Sequence, residues 1–192
     1  MGLAFSANLL TFYLFYELLT LGTLPLVMHA MNPQAQYAGK KYIVYSIGGA
    51  AFAFIAMVFM MYYGTSLDFT FGGVLDMLQV AGHEQWLLVV FVLAFFGFGV
   101  KAAVFPLSGW LPSAGVAPTP VTALLHAVAV VNAGVYALVR LIYYTFGTEF
   151  LSGSWAQYVV MSAALVTIVY GSSMALRTPH LKRRLAYSTV SN

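Results

Sequence analysis

Two ionisable residues lie within long apolar stretches of this sequence, an acid at Glu17 and a base at Lys101. Glu17 has at least two helical turns of apolar residues on either side, and a long apolar run that begins at Trp86 precedes Lys101. A charged side chain in such surroundings is costly unless it is paired or hydrated, so a neighbouring charge can make it take up or release a proton. We predict that both residues belong to a proton or cation pathway. A structural ion pair and a snorkelling lysine are the alternatives.

The segment around Lys101 predicts a broken helix. Gly97 and Gly99 loosen the helix just before the lysine, and Pro106 removes a backbone donor and clashes with the preceding turn. Irregular backbone at membrane depth is tolerated only inside protein or beside water, and interrupted helices with a nearby ionisable group recur at transporter sites. We therefore predict a helix break between Lys101 and Pro106.

Two polar residues further along the chain are additional pathway candidates. His126 has the side chain best suited to proton transfer near neutral pH, but a membrane histidine equally forms neutral hydrogen bonds between helices. Asn132 lies six residues further on, so it does not share the helical face of His126. It is able to bind water or a neighbouring helix. The predicted pathway residues are therefore Glu17, Lys101, His126 and Asn132.

Other kinds of site find no support in the sequence. The chain has no cysteine, and its histidines do not form a metal-spaced cluster with carboxylates. It has no Walker, dinucleotide or GxSxG motif. We expect no metal, no cofactor and no catalytic redox centre in this chain. Its basic character is explained by membrane topology, so we expect no nucleic-acid partner.

The composition places these residues in a lipid bilayer. Hydrophobic residues make up 61% of the chain and charged residues 7%, against about 25% charged residues in soluble domains. Five stretches are long enough to cross the hydrocarbon core, which needs about 20 apolar residues. We predict an all-α integral membrane protein that forms a single transmembrane helical domain over residues 1–192. The predicted spans are Leu9–Ala30, Tyr42–Tyr63, Trp86–Phe105, Val121–Phe146 and Trp155–Leu176.

The charges outside the spans predict the orientation. With five spans, alternate loops fall on opposite sides, and this sorts every loop charge by sign. The basic residues are Lys40, Lys41, Arg177, Lys182, Arg183 and Arg184, and the acidic residues are Asp68, Asp76, Glu84 and Glu149. The basic side is expected to be cytoplasmic, with the N-terminus outside and the C-terminus inside. Arg140 falls near the outer interface, where we expect a helix-end anchor.

Three pieces of the sequence, in order, resemble one family. They are Val100–Arg140, which contains Lys-Ala-Ala-Val-Phe-Pro and Trp-Leu-Pro, Asn8–Glu17, which ends in Phe-Tyr-Glu, and Leu181–Ser191. This combination is similar to the antiporter-like proton-translocating subunits. That family includes large membrane subunits of respiratory complex I, Mrp-type Na⁺/H⁺ antiporter subunits and membrane-bound hydrogenase subunits. The matches span nearly the whole chain.

The resemblance implies a role for each matching residue. Glu17 matches the glutamate on the family's fifth helix, and Lys101 matches the lysine on its broken seventh helix. In the family, the opening and closing of this pair is thought to drive proton movement. His126 matches a histidine on the eighth helix of several members. Asn132 departs from the pattern, because many members have a lysine there, and Ser108 replaces a common histidine.

The resemblance also implies a half-channel and an assembly. Family members have about fourteen helices, so this chain corresponds to roughly the fifth to ninth. We expect a natural split subunit, a truncated product or a fragment, with membrane partners that include the second half-channel. The expected function is proton or Na⁺ translocation in a respiratory, hydrogenase or complex I-like assembly, as a subunit of a proton-translocating oxidoreductase. The alternatives are part of an Mrp-type antiporter and a structural subunit that does not conduct. The expected location is a bacterial or archaeal cytoplasmic membrane, or an organelle inner membrane.

Overall fold

The fold is a bundle of helices without any β-strand. A computed structural model describes residues 1–192 and contains eleven α-helices, joined by turns and by short 3₁₀ and π segments. Backbone pairing of the β type is limited to two isolated bridges, Asn8 with Asp68 and Gly64 with Leu75. The all-α prediction is therefore confirmed. The α-helices are α1 (Gly2–Phe5), α2 (Leu9–Val27), α3 (Pro33–Tyr63), α4 (Met77–Val80), α5 (Glu84–Gly99), α6 (Trp110–Ala114), α7 (Thr119–Ala123), α8 (Val130–Arg140), α9 (Thr148–Leu151), α10 (Trp155–Arg177) and α11 (Leu181–Ser191).

Four stretches of the structure are long and apolar enough to cross a membrane, and a fifth apolar helix is shorter. The four are α2, α3, the continuous stretch Thr119–Phe146 and α10. The fifth is α5, with 16 residues. Large apolar side chains on these helices, such as Leu14, Phe54 and Leu165, point outward, as expected of a surface that faces lipid. The chain is an integral membrane protein.

The second span begins earlier than the sequence pattern indicated. The second span was predicted as Tyr42–Tyr63, and its start is wrong, because α3 already begins at Pro33. The oxygen of the Asn32 side chain accepts a hydrogen bond from Ala35 N at 2.7 Å, and Pro33 occupies the first helical turn. An asparagine cap followed by proline is a strong start signal, because it satisfies one free backbone donor and removes another. Lys40 and Lys41 therefore lie on a helix.

The predicted interruption after α5 is confirmed. The helix ends at Gly99, residues 100–106 are not helical, and a 3₁₀ turn at Leu107–Gly109 leads directly into α6. Pro106 lies at the start of that turn, where its missing N–H is not needed. The third span is thus shorter than the predicted Trp86–Phe105, and Lys101 lies in the non-helical segment.

The stretch Thr119–Phe146 is helical except for a bend at Ala129, and it contains two π-helical segments. Leu124–Val128 and Leu141–Phe146 form π-helical segments on either side of α8. The first of these contains His126. Such segments are rare and occur often at functional sites, because the extra residue in the turn redirects the side chains around it.

Close backbone contact joins α3 to α5 near the break. A Cβ added to Gly49 would lie 2.6 Å from Gly97 O, and one added to Gly97 would lie 2.6 Å from Gly49 O. Only glycine allows the two helices to approach this closely at both positions. The contact fixes the C-terminal end of α5 against α3, just before the chain reaches Lys101.

The break separates two buried apolar clusters. The larger lies among α2, α3, α5 and α8 and contains Phe12, Met60 and Phe91. The smaller surrounds α6 and contains Trp110 and Leu125. Non-helical backbone at this depth is thus enclosed by protein on both sides, which is the condition for its presence in a membrane protein.

The acidic and basic loops lie at opposite ends of the bundle. At the end that we call the basic end, Lys41 Nζ donates to Ser113 Oγ at 3.2 Å and Lys182 Nζ donates to Ala117 O at 3.2 Å. At the other end, Gly72 N donates to Tyr143 O and Val74 N donates to Thr145 O, both at 3.0 Å. Lys41 thus contacts α6, and Lys182 contacts the segment that follows it.

Candidate functional site

Lys101 is completely buried in the break between α5 and α6. Its exposed fraction is 0%, and it is one of the largest fully buried side chains in the chain. The ammonium group donates to Tyr16 O on α2, and Nζ lies 3.4 Å from the centre of the Tyr16 ring. A carbonyl oxygen and an aromatic face both attract a cation, but neither neutralises it. The break therefore holds a lysine with polar contacts and no buried counter-charge in direct contact.

Tyr16 connects this lysine to the end of α5. Its ring is 1% exposed and packs edge-on against Phe98 at a centroid distance of 5.1 Å. The Tyr16 hydroxyl donates to Phe98 O at 3.2 Å, and that carbonyl belongs to the last turn of α5. Phe98 O also accepts from Lys101 N at 3.3 Å, so Tyr16 adds a second hydrogen bond to that carbonyl. Tyr16 presents its own carbonyl to the Lys101 ammonium.

Glu17 is the next residue on α2, and it is half-buried. Its Oε1 is shielded from solvent and has no hydrogen-bond partner, so Lys101 does not donate to that oxygen. Lys101 Nζ reaches the carbonyl of Tyr16, the residue that precedes Glu17. Whether the carboxylate and the ammonium pair directly stays a prediction.

The backbone of the break is held by α6 and α8. Trp110 Nε1 donates to Val100 O at 2.7 Å, and Val104 N donates to Gly99 O at 2.9 Å. On the other side, α8 presents Gly134, and a Cβ added there would lie 2.6 Å from Lys101 C. The helix thus approaches the backbone of the break as closely as a residue without a side chain permits. These contacts give a non-helical segment a defined conformation.

The helix α10 supplies the remaining partner of the break. Phe105 N donates to Thr167 Oγ1 at 2.9 Å, and the Thr167 hydroxyl donates to Ala163 O at 2.7 Å. Thr167 is 6% exposed, so water does not replace it easily. A single hydroxyl therefore satisfies a backbone donor that the broken helix leaves free.

We expect Thr167→Val to destabilise the protein by about 1–3 kcal/mol, because valine has a similar shape but leaves the buried Phe105 N–H without an acceptor. Thermal unfolding of the purified native complex would measure the change. Ser173→Ala on the same helix is the control, since the Ser173 hydroxyl is exposed and donates only to Val169 O. Equal stability of the two variants would contradict the role of Thr167.

His126 is buried near the basic end of the bundle, and neither ring nitrogen has a hydrogen-bond partner. It borders a cavity of about 350 Å³ between the π segment and α11, which Thr122, Lys182 and Ser188 also line. The cavity is large enough for several water molecules and has polar groups to bind them. The ring of His126 thus lies beside this cavity, with both of its nitrogens shielded from solvent.

Asn132 lies on a different side of the helix from His126, as its spacing predicted. The side chain is exposed, and Nδ2 donates to Ala127 O at 2.8 Å. This bond ties the Asn132 side chain to the backbone of the π segment. Asn132 is not part of the buried group around Lys101.

Arg140 is held by aromatic rings at the opposite end from Lys41. Its guanidinium carbon lies 4.7 Å from the Phe69 ring centre and 4.8 Å from that of Tyr144. Its Nε donates to the Tyr136 hydroxyl at 2.8 Å. These contacts stabilise a cation at the edge of the bundle, away from the break.

Several residues of the site carry too weak a signal to be found from sequence. Tyr16, Trp110 and Thr167 are ordinary membrane residues, and their roles depend on which backbone atom lies opposite. Gly134 is one of 17 glycines, and only its packing against Lys101 and Ala102 distinguishes it. The one sequence feature that could have indicated a role for Tyr16 is its position next to Glu17.

Comparison with known proteins places this geometry in a family. Residues 6–192 match the family described as "NADH:quinone oxidoreductase/Mrp antiporter, TM". The chain belongs to this family. All of the chain aligns with a Na(+)/H(+) antiporter subunit of Alkalihalophilus pseudofirmus, at 32% identity over 193 residues. It also aligns over its full length with the chloroplastic NAD(P)H-quinone oxidoreductase subunit 5 of Piper cenocladum, at 31% identity over 197 residues.

The fold agrees with that of a chain in a solved Mrp complex. The Mrp complex from Dietzia sp. DQ12-45-1b contains a chain that superposes with a TM-score of 0.79 and 28% identity, over 99% of this chain and 20% of that one. The sequence covers 23% of the Alkalihalophilus protein and 26% of the Piper protein. The chain thus spans about a quarter of the length of these relatives, and it has the fold of an antiporter-like membrane subunit.

Proposed function

We propose that this chain contributes the Glu17–Lys101 half-channel of a subunit that translocates protons or Na⁺ across a membrane. The observation that supports this most directly is Lys101 itself, a fully buried ammonium in a broken helix, held by the carbonyl and ring of Tyr16. Packing alone would favour an apolar side chain at that depth. A lysine that exchanges a proton with a neighbour gives a reason for a cation there.

The acid beside it supports the same role. Glu17 follows Tyr16 directly, and its buried oxygen has no fixed partner. A carboxylate with a free acceptor changes its proton occupancy when a nearby charge approaches or withdraws. We propose that the charge on Lys101 provides that influence, and that the proton affinities of the two residues change together.

We propose that His126 continues the pathway toward the basic end. The ring borders a polar cavity that includes Lys182, and its nitrogens have no protein partner. Asn132 would then act on the exposed side, where it faces a neighbouring helix or chain. This fits a half-channel that needs a second half-channel beside it, carried by another part of the complete protein or by a partner subunit.

We propose a multi-subunit membrane complex as the setting. The relatives include subunits of a Na(+)/H(+) antiporter and of a quinone oxidoreductase, with nearly equal identity, so the proposal concerns the step that both kinds share. The cation would cross between a cytoplasmic basic end and an outer acidic end. We place the complex in a bacterial, archaeal or organelle inner membrane, with the N-terminus outside.

We expect Glu17→Gln to reduce ion translocation about tenfold or more, because the amide keeps the shape of the carboxylate but carries no charge and holds no exchangeable acid proton. Dye-based measurement of proton uptake in inverted membrane vesicles of the native complex would test this. Glu17→Asp is the matched variant that keeps the charge and should retain part of the rate. Full translocation by assembled Glu17→Gln complex would reduce Glu17 to a packing role and contradict the proposal.

A further inference from the structure

Four hydroxyl side chains lie along the contact between α2 and α3. They are Thr20, Thr23, Tyr42 and Ser46, and we call them the hydroxyl seam. The two helices pass each other in opposite directions, with Thr23 Oγ1 2.7 Å from the Tyr42 hydroxyl. Nearer the N-terminus of α2, the Tyr13 hydroxyl donates to Ala50 O at 3.3 Å. These two contacts fix the register and put Thr20 and Ser46 between them, one turn from Glu17.

The helical spacing aligns the seam with the acid. Tyr13, Glu17 and Thr20 occupy positions i, i+4 and i+7 of α2, so their side chains share a face. Ser46 follows Tyr42 by four residues on α3 and shares the face that meets α2. At a rise of about 1.5 Å per residue, Thr20 lies roughly 4.5 Å and Thr23 roughly 9 Å from Glu17 along the helix, toward the basic end.

The seam contains buried oxygen atoms without partners. Thr20 and Ser46 are each 1% exposed, yet neither Thr20 Oγ1 nor Ser46 Oγ has a hydrogen-bond partner. Glu17 Oε1, at the end of the seam away from the basic end, is also buried and without a hydrogen-bond partner. Buried hydroxyls are almost always satisfied, by protein or by an ordered water. Three such oxygens along one helix contact therefore point to bound water between α2 and α3.

Hydrogen bonding gives the seam an open acceptor at Tyr42, near the basic end of the bundle. Thr23 Oγ1 donates to Leu19 O at 2.7 Å, so the Tyr42 hydroxyl is the donor in the contact between Thr23 and Tyr42. The Tyr42 oxygen keeps its acceptor capacity, and the helix register places Thr20 and Ser46 between this contact and the one at Tyr13. Each hydroxyl both donates and accepts, which a chain of proton transfers requires.

We propose that the hydroxyl seam, bridged by water, carries protons between the basic end of the bundle and Glu17. This inference rests on the proposed function, since the seam would deliver protons to Glu17, the acid of the proposed half-channel. The seam approaches the basic end at Tyr42, whose sequence neighbour Lys41 donates to Ser113 Oγ at 3.2 Å. The route runs on the α2–α3 side of the bundle, whereas the cavity at His126 lies between the π segment and α11.

The double variant Thr20→Val, Ser46→Ala tests the seam in the native complex. We expect proton translocation in inverted vesicles to fall about tenfold, with a normal amount of assembled complex, because only oxygens without protein partners are removed. The hydroxyl-retaining variant Thr20→Ser, Ser46→Thr should keep most of the rate. Ser173→Ala is the control, since its exposed hydroxyl lies on α10 and bonds within its own helix.

The outcomes separate the seam from the half-channel. If the double variant translocates at the wild-type rate while Lys101→Ala does not, the seam is overturned and the proposed function stands. If Lys101→Ala also translocates normally, the proposed function fails. A loss that high Na⁺ reverses would identify the seam as a Na⁺ site and overturn the proton route. If the hydroxyl-retaining variant translocates as slowly as the double variant, the seam acts by packing alone.

Discussion

Replacement of Lys101 by alanine is expected to abolish ion translocation, to the background rate of vesicles without the complex. The ammonium is the one buried cation in the break, and its removal leaves Glu17 without a charge to respond to. Alanine also frees Tyr16 O, which costs about 1–3 kcal/mol and leaves most of the fold in place. Proton uptake and blue-native electrophoresis of the same vesicles would separate lost transport from lost assembly.

Lys101→Arg is the informative comparison. Arginine retains the positive charge, but it does not release its proton near neutral pH. If the charge alone were needed, Lys101→Arg would translocate far better than Lys101→Ala. We expect both variants to be inactive, since proton exchange at this position is the proposed step. Normal translocation by assembled Lys101→Ala complex would remove the lysine from the pathway.

The ionisable residues and the break were predictable because they violate the apolar pattern that surrounds them. Glu17 and Lys101 stand out in any hydropathy profile, and Pro106 with Gly97 and Gly99 marks the place where the helix cannot continue. The structure ends α5 at Gly99 and buries Lys101 completely. Exceptions to a strong pattern carry most of the information in a membrane sequence.

The contacts that hold the break were not predictable, because each joins residues far apart in the chain. Phe105 N meets Thr167, 62 positions away, and the Lys101 ammonium meets Tyr16 O, 85 positions away. Hydrophobic periodicity predicts which face of a helix is buried, but not which helix packs against that face. A membrane helix that is apolar on all sides does not even indicate its buried face. The start of α3 at Pro33 was missed for a local reason, since Asn32 and Pro33 carry a cap signal that hydropathy does not register.

From the position of the break we expect a change of charge at Lys101 to affect helix packing. The non-helical segment lies between the two apolar clusters, and its atoms contact α2, α8 and α10 through Tyr16, Gly134 and Thr167. A change in the charge of Lys101 alters its contact with Tyr16, and Tyr16 also holds the end of α5 through Phe98 O. We therefore expect the proton affinity of Lys101 to depend on how the helices pack around it.

Gly134→Ala is expected to have the second-largest effect, through packing. The new Cβ would lie 2.6 Å from Lys101 C, and its nearest neighbour would be Ala102 N. Both are backbone atoms of the break, so neither can rotate away as a side chain would. We expect a loss of about 3 kcal/mol, or roughly 5–10 °C in the melting temperature of the purified complex. Translocation should fall with it, because α8 must move away from Lys101.

Gly22→Ala is the matched control, since a Cβ at that position of α2 meets nothing within 4 Å. Alanine favours the helix over glycine by about 1 kcal/mol, so this variant should be as stable as the native protein or slightly more so. A melting temperature for Gly134→Ala equal to that of Gly22→Ala would show that α8 does not support the break. If Gly134→Ala melts normally but translocates poorly, the spacing between α8 and Lys101 serves proton transfer and not stability.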